Sequence, residues 1–113
     1  MKKIEAIIRP TKLEELKEAF KEGQINGVTI SQVMGCGKQL GWKEYYRGNE
    51  VLVHFLPKIE MKIVVEDSKV DEVVKLIIDV ARTGDIGDGK IFITDISECI
   101  RIRTGETGKD SLK

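Results

Sequence analysis

The sequence repeats one strand–helix–strand pattern. "KKIEAIIR" at 2–9 alternates apolar and polar residues, as a half-buried strand does, and Pro10 ends it. "TKLEELKEAFKEG" then places Leu13, Leu16 and Phe20 on one helical face, and "VTISQV" has the β-branched composition of a strand. The first unit is therefore predicted to fold as a strand, a helix and a second strand.

The second unit has the same order. "EMKIVVE" predicts a strand and "KIFITDI" predicts another, with a helix between them. The apolar stripe of this helix is formed by Val70, Val73, Val74, Ile77, Ile78 and Ala81. Two such units predict an α+β fold, a ferredoxin-like double βαβ sandwich with both helices on one face of a four-stranded sheet.

A capping-box pattern precedes each predicted helix. Thr11 stands three residues before Glu14, and Ser68 stands three residues before Asp71. In a capping box the hydroxyl side chain accepts a hydrogen bond from a free backbone N–H of the first helical turn. The two pairs therefore predict where the helices begin.

The face of the sheet without helices is expected to meet a partner. Its outward positions are predicted to include Ile7, Ile63 and Val65, or the residues that alternate with them. A broad apolar face on a soluble protein usually marks an interaction surface. We therefore expect the chain to form a homo-oligomer.

Composition excludes several classes of function. The 113 residues, 41% of them hydrophobic, suit one domain over 1–113, and 19 basic residues balance 19 acidic ones, so nothing draws the chain as a whole to nucleic acid or to an anionic membrane. Cys36, Cys99 and the single His54 lack the spacing of a metal or catalytic cluster. No secretory or membrane-length apolar run is present. We expect a cytoplasmic protein with no membrane insertion.

A long segment separates the second and third strands. It contains "KEYYRGNE" between flanking apolar residues and is longer than compact domains usually allow without a functional reason. We interpret the 37–55 loop as an arm that orders on contact with a partner. The alternative is a long hairpin that extends the sheet, with "VLVHFL" paired to "ISQVMG".

A glycine-rich stretch, "RTGDIGDGKIF" at 82–92, precedes the fourth strand. It approaches the phosphate-loop pattern, but Ile91 stands where serine or threonine would bind magnesium, and a strand follows instead of a helix. Gly87 and Gly89 could still turn backbone amides toward an anion, with Lys90 as the cation. An ordinary helix-to-strand turn explains the same glycines equally well.

Two further basic segments are candidates for anion binding. In "CIRIRTG", a strand would bury the isoleucines and direct Arg101 and Arg103 to one side, although a solvated edge strand would look the same. In "GCGKQLG", Gly37 widens the range of backbone conformations beside Lys38 and Gln39. Lys58 stands at the other end of the long loop and could bind a carboxylate near Gln39, or could be a surface lysine.

These segments together resemble the P-II nitrogen-regulatory signal-transduction family along nearly the whole chain. The resemblance rests on "KKIEAIIRP", "GCGKQ", "YRG", "FLPK", "TGDIGDGKIF" and "IRIRTGE". It implies a ferredoxin-like trimer whose clefts between subunits bind ATP or ADP in competition. It also implies that 2-oxoglutarate and Mg²⁺ join ATP, and that the long loop docks on target proteins.

The resemblance also implies roles for individual residues. The phosphate loop would be Gly87, Asp88, Gly89 and Lys90, with further phosphate contacts from Lys38, Arg101 and Arg103 and adenine contacts from Thr29 and Val64. Gln39 would help to place Mg²⁺ and 2-oxoglutarate, and Lys58 would neutralise a carboxylate of that effector.

The long loop departs from the family pattern. Val51 stands where many members have the tyrosine that is uridylylated, and Asn49 stands where others have a phosphorylated serine. Neither modification can occur at these positions, and Tyr46 is not the usual acceptor. Leu40 and Trp42 replace residues that are commonly lysine and histidine, which leaves the choice of target open.

The leading hypothesis is a non-enzymatic sensor of ATP, ADP and 2-oxoglutarate that acts through the 37–55 loop. An ammonium transporter, glutamine synthetase or a transcription regulator would be the kind of target that the resemblance implies. One alternative is a small phosphotransferase or ATPase that uses the same basic residues, but acid–base groups are scarce. The other is a related sensor of another nucleotide.

Overall fold

The computed structural model describes residues 1–36, 42–46, 49–53 and 55–113, and describes side chains in 1–36 and 55–113. It contains six strands and two α-helices among these residues. In chain order they are β1 (Lys2–Ile8), α1 (Leu13–Glu22), β2 (Thr29–Gly35), β3 (Trp42–Tyr46), β4 (Asn49–Val53), β5 (Leu56–Val65), α2 (Val70–Ala81) and β6 (Lys90–Asp95).

Four of the strands form one antiparallel sheet in the order β2-β5-β1-β6. The first strand of each unit lies in the middle and the last lies at an edge, which is the split βαβ arrangement of ferredoxin-like folds. The register pairs Ile4 of β1 with Ile63 of β5 on one side and with Ile93 of β6 on the other. The predicted α+β architecture is confirmed.

Both helices pack on the same face of this sheet. Leu16 and Phe20 of α1 are buried, as are Val73 and Ile77 of α2. They join one core with alternate residues of the two central strands, namely Ile4, Ala6, Ile8, Ile59, Met61 and Ile63. Burial of each large side chain stabilises the fold by roughly 1.5–3 kcal/mol. The apolar stripe predicted from the sequence spans the whole of α2, Val70–Ala81.

The predicted capping boxes are wrong. A turn of 3-10 helix, Pro10–Lys12 before α1 and Asp67–Lys69 before α2, leads into each helix, and no side chain caps either start. Thr11 and Ser68 lie inside these turns. In the 3-10 turns, backbone groups just before each helix are hydrogen-bonded to one another instead, as in the bond from the Lys12 N–H to the Arg9 carbonyl at 3.0 Å.

On the face opposite the helices, the structure selects Ile7 and, on β5, the residues that alternate with Ile63 and Val65. Ile63 is buried on the helix side, and Val65 packs against the same core. Ile7 faces outward because it alternates with the buried Ala6 and Ile8, and Val64 faces outward because it alternates with Ile63 and Val65. The outward rows mix charged with apolar residues, such as Lys3 beside Val64, Glu5 beside Lys62, and Ile7 beside Glu60.

The long segment contains its own two-stranded sheet. β3 and β4 pair with each other, with Trp42 opposite Val53 and Tyr46 opposite Asn49. Among the described residues of "VLVHFL", the alternative pairing with β2 is found at Leu56, which faces Gly35. In the part of the chain that the structure describes, no helix is long and apolar enough to cross a membrane.

Candidate functional site

The glycine loop, residues 83–89, connects α2 to β6. Gly84, Gly87 and Gly89 have φ angles of +93°, +108° and +96°, in the left-handed region that favours glycine. At Gly89 the backbone also passes very close to β1, because a Cβ built there would lie 1.6 Å from the carbonyl oxygen of Ile7. Only glycine fits both the conformation and the space at this position.

Asp88 holds the glycine loop closed. Its carboxylate accepts hydrogen bonds from the backbone N–H groups of Thr83 and Gly84, at 2.8 and 2.9 Å, and from the Thr83 hydroxyl at 2.5 Å. These bonds, with a further one from Arg9, hold the pKa of Asp88 well below its ordinary value of 3.8. Asp88 therefore acts as the cap of the turn, and its charge is compensated by donors of the loop and by Arg9.

Two cations from the sheet attach to the glycine loop. The Arg9 Nε donates to Asp88 at 3.1 Å and its Nη2 donates to the Ile86 carbonyl at 2.7 Å. The Lys58 Nζ donates to the Gly87 carbonyl at 2.9 Å. Burial lowers the pKa of Lys58, and the nearby Arg9 charge lowers it further. Sequence reasoning missed Arg9, which reaches the loop only because β1 ends beside it.

Lys90 stands where the glycine loop enters β6. It pairs with Ile7 of β1, so its side chain faces the side of the sheet away from the helices, and it is exposed. Arg9 and Lys58 alternate with helix-side residues in the same way, which places three cations at one end of that face. A cavity of about 280 Å³ lies next to the loop, with Asp88, Gly89 and Lys90 in its wall.

The predicted adenine contacts lie elsewhere in the chain. Thr29 begins β2 at the opposite edge of the sheet from β6, where it pairs with Lys62. Val64 pairs with Lys3 near the end of the sheet that is remote from Lys90. Both residues face away from the helices, as Lys90 does, but within this chain they lie far from the glycine loop.

The two tail arginines also lie away from the glycine loop, and the predicted tail strand is wrong. Ile100 makes a single bridge to Thr107, and Ile102 is fully exposed instead of buried. The chain turns back on itself, with the Gly105 N–H bonded to the Arg101 carbonyl at 2.7 Å and a φ of +75° at Gly105. This turn, which only glycine adopts easily, prevents the alternation that the sequence suggested.

The position of Arg101 follows from its neighbours. Its guanidinium contacts the segment ending at Lys113, and that residue lines a cavity together with Val64 and Val65. Val65 pairs with Lys2, which pairs with Asp95 at the end of β6. Because a strand rises about 3.4 Å per residue, the five steps from Lys90 to Asp95 span about 17 Å.

Three predicted site residues, Gly37, Lys38 and Gln39, lie outside the described residues. Of the two ends of the loop that contains them, the structure describes Gly35, which pairs with Leu56, and Lys58. The predicted Mg²⁺ contact of Gln39 therefore stays a prediction. Among the described residues, no group of three or more His, Cys, Asp or Glu side chains could hold a metal ion.

The glycine loop and its three cations have the chemistry of an anion site at one end of the sheet. Comparison of the sequence with known protein families identifies the family of this chain. The family model "Nitrogen regulatory protein P-II" matches residues 1–106. The chain belongs to the P-II family. The matched range of this P-II chain includes the glycine loop, all three cations and both tail arginines.

Full-length relatives agree with the family model. A protein named nitrogen regulatory protein P-II from Azospirillum brasilense is 53% identical over 112 residues, which cover 99% of this chain and all of the relative. Proteins of the same name from Microchaete diplosiphon and Pasteurella multocida are 54% and 51% identical over the same lengths. The P-II chain is thus similar along its whole length to proteins named for nitrogen regulation, and its family is one of regulatory signalling proteins.

Proposed function

We propose that this P-II protein is a sensor that binds ATP or ADP in competition, binds 2-oxoglutarate together with Mg²⁺ and ATP, and controls target proteins through the 37–55 loop. It acts in the cytoplasm without catalysing a reaction of its own. Its targets are of the kind that the family resemblance implies, such as an ammonium transporter, glutamine synthetase or a transcription regulator.

The observation that carries this proposal is the closed glycine loop with cations around it. A polyphosphate needs positive charge and backbone donors and is repelled by an unpaired carboxylate. The one acidic side chain among Gly87, Asp88, Gly89 and Lys90 is already bonded to Arg9, Thr83 and Gly84. Lys90 is exposed beside it, and the left-handed glycines allow the amides to turn toward an anion.

The separation of the predicted residues supports a site shared between subunits. Arg101 and Lys90 are both proposed to contact one triphosphate, yet within one chain they lie apart. Lys90 begins β6, which spans about 17 Å, whereas Arg101 contacts the segment ending at Lys113, beside the strands that pair with the other end of β6. Thr29 and Val64 are likewise remote from the glycine loop. A second copy of the chain would bring one set opposite the other. We propose a homotrimer with a nucleotide in each cleft between protomers.

Magnesium and 2-oxoglutarate would complete the site next to the long loop. Mg²⁺ would supply charge that offsets repulsion between the polyphosphate and the dianionic effector, with Gln39 helping to position both. Lys58 is suited to bind a carboxylate because its ammonium lies at the glycine loop, 2.9 Å from the Gly87 carbonyl. Lys58 also follows directly from the long loop, so an effector bound there would bias the conformation of that loop.

Calorimetric titration with ATP tests the nucleotide site. Lys90→Ala should weaken binding by roughly 1.5–3 kcal/mol, the range for a hydrogen bond from a charged group. Lys75→Ala is a matched control, because Lys75 is an exposed lysine on α2 that pairs with Asp79 at 2.6 Å. It should bind ATP like the unmodified protein. Absence of ATP binding to the unmodified protein, or equal affinities for all three proteins, would contradict the proposal.

A further inference from the structure

Arg101 is held by the chain's own C-terminal turn, which we define as residues 106–113. The Arg101 Nη1 donates to the Glu106 carboxylate at 3.1 Å. Its Nη2 donates to the carbonyl oxygens of Asp110 and Ser111, at 3.3 and 3.4 Å, and to a main-chain oxygen of Lys113. One side-chain carboxylate and three main-chain oxygens thus surround the guanidinium, and the Arg101 side chain is 23% exposed.

Further hydrogen bonds hold the C-terminal turn in the position from which it contacts Arg101. The backbone of Arg101 donates to the Glu106 carbonyl at 2.9 Å, and the Ser111 hydroxyl donates to the Gly108 carbonyl at 2.5 Å. The Gly108 N–H donates to the Cys99 carbonyl at 3.0 Å, which fixes the turn to the chain before Arg101. The same turn brings Leu112 and Lys113 to the wall of a cavity of about 260 Å³ that includes Val64.

We propose that Glu106 sets the nucleotide affinity of this protein by competing with phosphate for Arg101. The inference rests on the proposed function, in which Arg101 contacts the polyphosphate. A guanidinium has five N–H donors in a fixed fork, and the C-terminal turn contacts both of its terminal nitrogens, Nη1 and Nη2. A phosphate that binds both terminal nitrogens therefore enters by exchange, in which its oxygens replace the Glu106 carboxylate and the main-chain oxygens of the turn.

The exchange has a predictable sign. Removing the Glu106 carboxylate removes a competitor for Arg101 and a negative charge that repels the phosphate, so nucleotide affinity should rise. Exposed ion pairs contribute about 0.2–1 kcal/mol, and Glu106 is 45% exposed. That range corresponds to an increase in affinity of up to about fivefold.

The test compares Glu106→Gln with Asp110→Asn in the full-length protein. Asp110 pairs with Lys113 at 3.4 Å and offers Arg101 only its backbone carbonyl, so Asp110→Asn removes the same charge from the same turn without touching the competing carboxylate. Calorimetry measures the affinities for ATP and for adenosine, which lacks phosphate. We expect Glu106→Gln to bind ATP about two- to fivefold more tightly than the unmodified protein, with adenosine affinity unchanged and Asp110→Asn close to the unmodified protein.

Three outcomes would overturn the inference. Equal or weaker ATP binding by Glu106→Gln would show that the carboxylate does not compete. An equal gain in Asp110→Asn would assign the effect to general charge, and an equal gain for adenosine would assign it to something other than phosphate. If the unmodified protein binds ATP, these outcomes leave the proposed nucleotide site standing. If it does not bind ATP, the proposed function fails and this inference fails with it.

Discussion

Substitution of Gly89 by alanine should severely destabilise the fold. The φ of +96° costs an L-residue about 1–2 kcal/mol. The new Cβ would also lie 1.6 Å from the Ile7 carbonyl oxygen and 2.7 Å from its carbon. Because both atoms belong to the central strand β1, relief requires displacement of backbone where Ile7 pairs with Lys90. Overpacking of this kind costs about 1–3 kcal/mol, which gives a total of roughly 2–5 kcal/mol.

Gly84→Ala separates the cost of the positive φ angle from the cost of the steric overlap. Gly84 has a similar φ of +93°, but nothing lies within 4 Å of a Cβ built there. It should lose only the conformational part, about 1–2 kcal/mol. The assay is urea unfolding of both variants at one protein concentration, since association would make apparent stability depend on concentration. Equal loss of stability in the two variants, or no loss in Gly89→Ala, would refute the close approach of the glycine loop to β1.

Two further predictions concern the carboxylate of the glycine loop and the long loop. Because the folded-state pKa of Asp88 is lowered, its contribution to stability is present above the ordinary value of 3.8 and is lost as pH falls below it. When urea unfolding is followed from pH 5 down to pH 2, Asp88→Asn should therefore lose less stability than the unmodified protein, and the control Asp85→Asn should lose as much. Equal acid sensitivity of all three proteins would contradict this. Trypsin should cleave after Lys43 and Arg47 at different rates with ADP and with Mg²⁺, ATP and 2-oxoglutarate, because ligands at both ends of the 37–55 loop constrain it, and identical rates would remove the switching role of the loop.

The fold could be predicted from the sequence where burial alone decides it. The stripe from Val70 to Ala81 coincides with α2, since most of its apolar side chains lie in the core or pack against it. The capping boxes failed because Thr11 and Ser68 are consistent both with a cap and with the 3-10 turns that precede the helices. Alternation in "CIRIRTG" failed because Gly105 turns the chain before a strand can form.

The candidate site could be predicted only where it is local in sequence. Gly87, Gly89 and Lys90 are close together in the chain, and the positive φ angles of the glycines fit both the predicted anion site and the ordinary turn that was its alternative. Arg9 has no such signal. It lies 79 residues from Asp88, and only the pairing of β1 with its neighbours brings its guanidinium to 3.1 Å from that carboxylate. Contacts of this kind follow from topology and cannot be read from a short motif.

Calorimetric titration of 2-oxoglutarate into the full-length protein tests the central claim most directly. Three samples are compared: the protein alone, the protein with ATP, and the protein with ATP and Mg²⁺. If the cations at the glycine loop and Lys58 form one effector site, a dianion beside a polyphosphate needs the metal to offset like-charge repulsion. We predict appreciable binding only in the sample with ATP and Mg²⁺. Tight binding to the nucleotide-free protein, or no binding in any sample, would contradict the account of this protein as a sensor of 2-oxoglutarate through a shared nucleotide site.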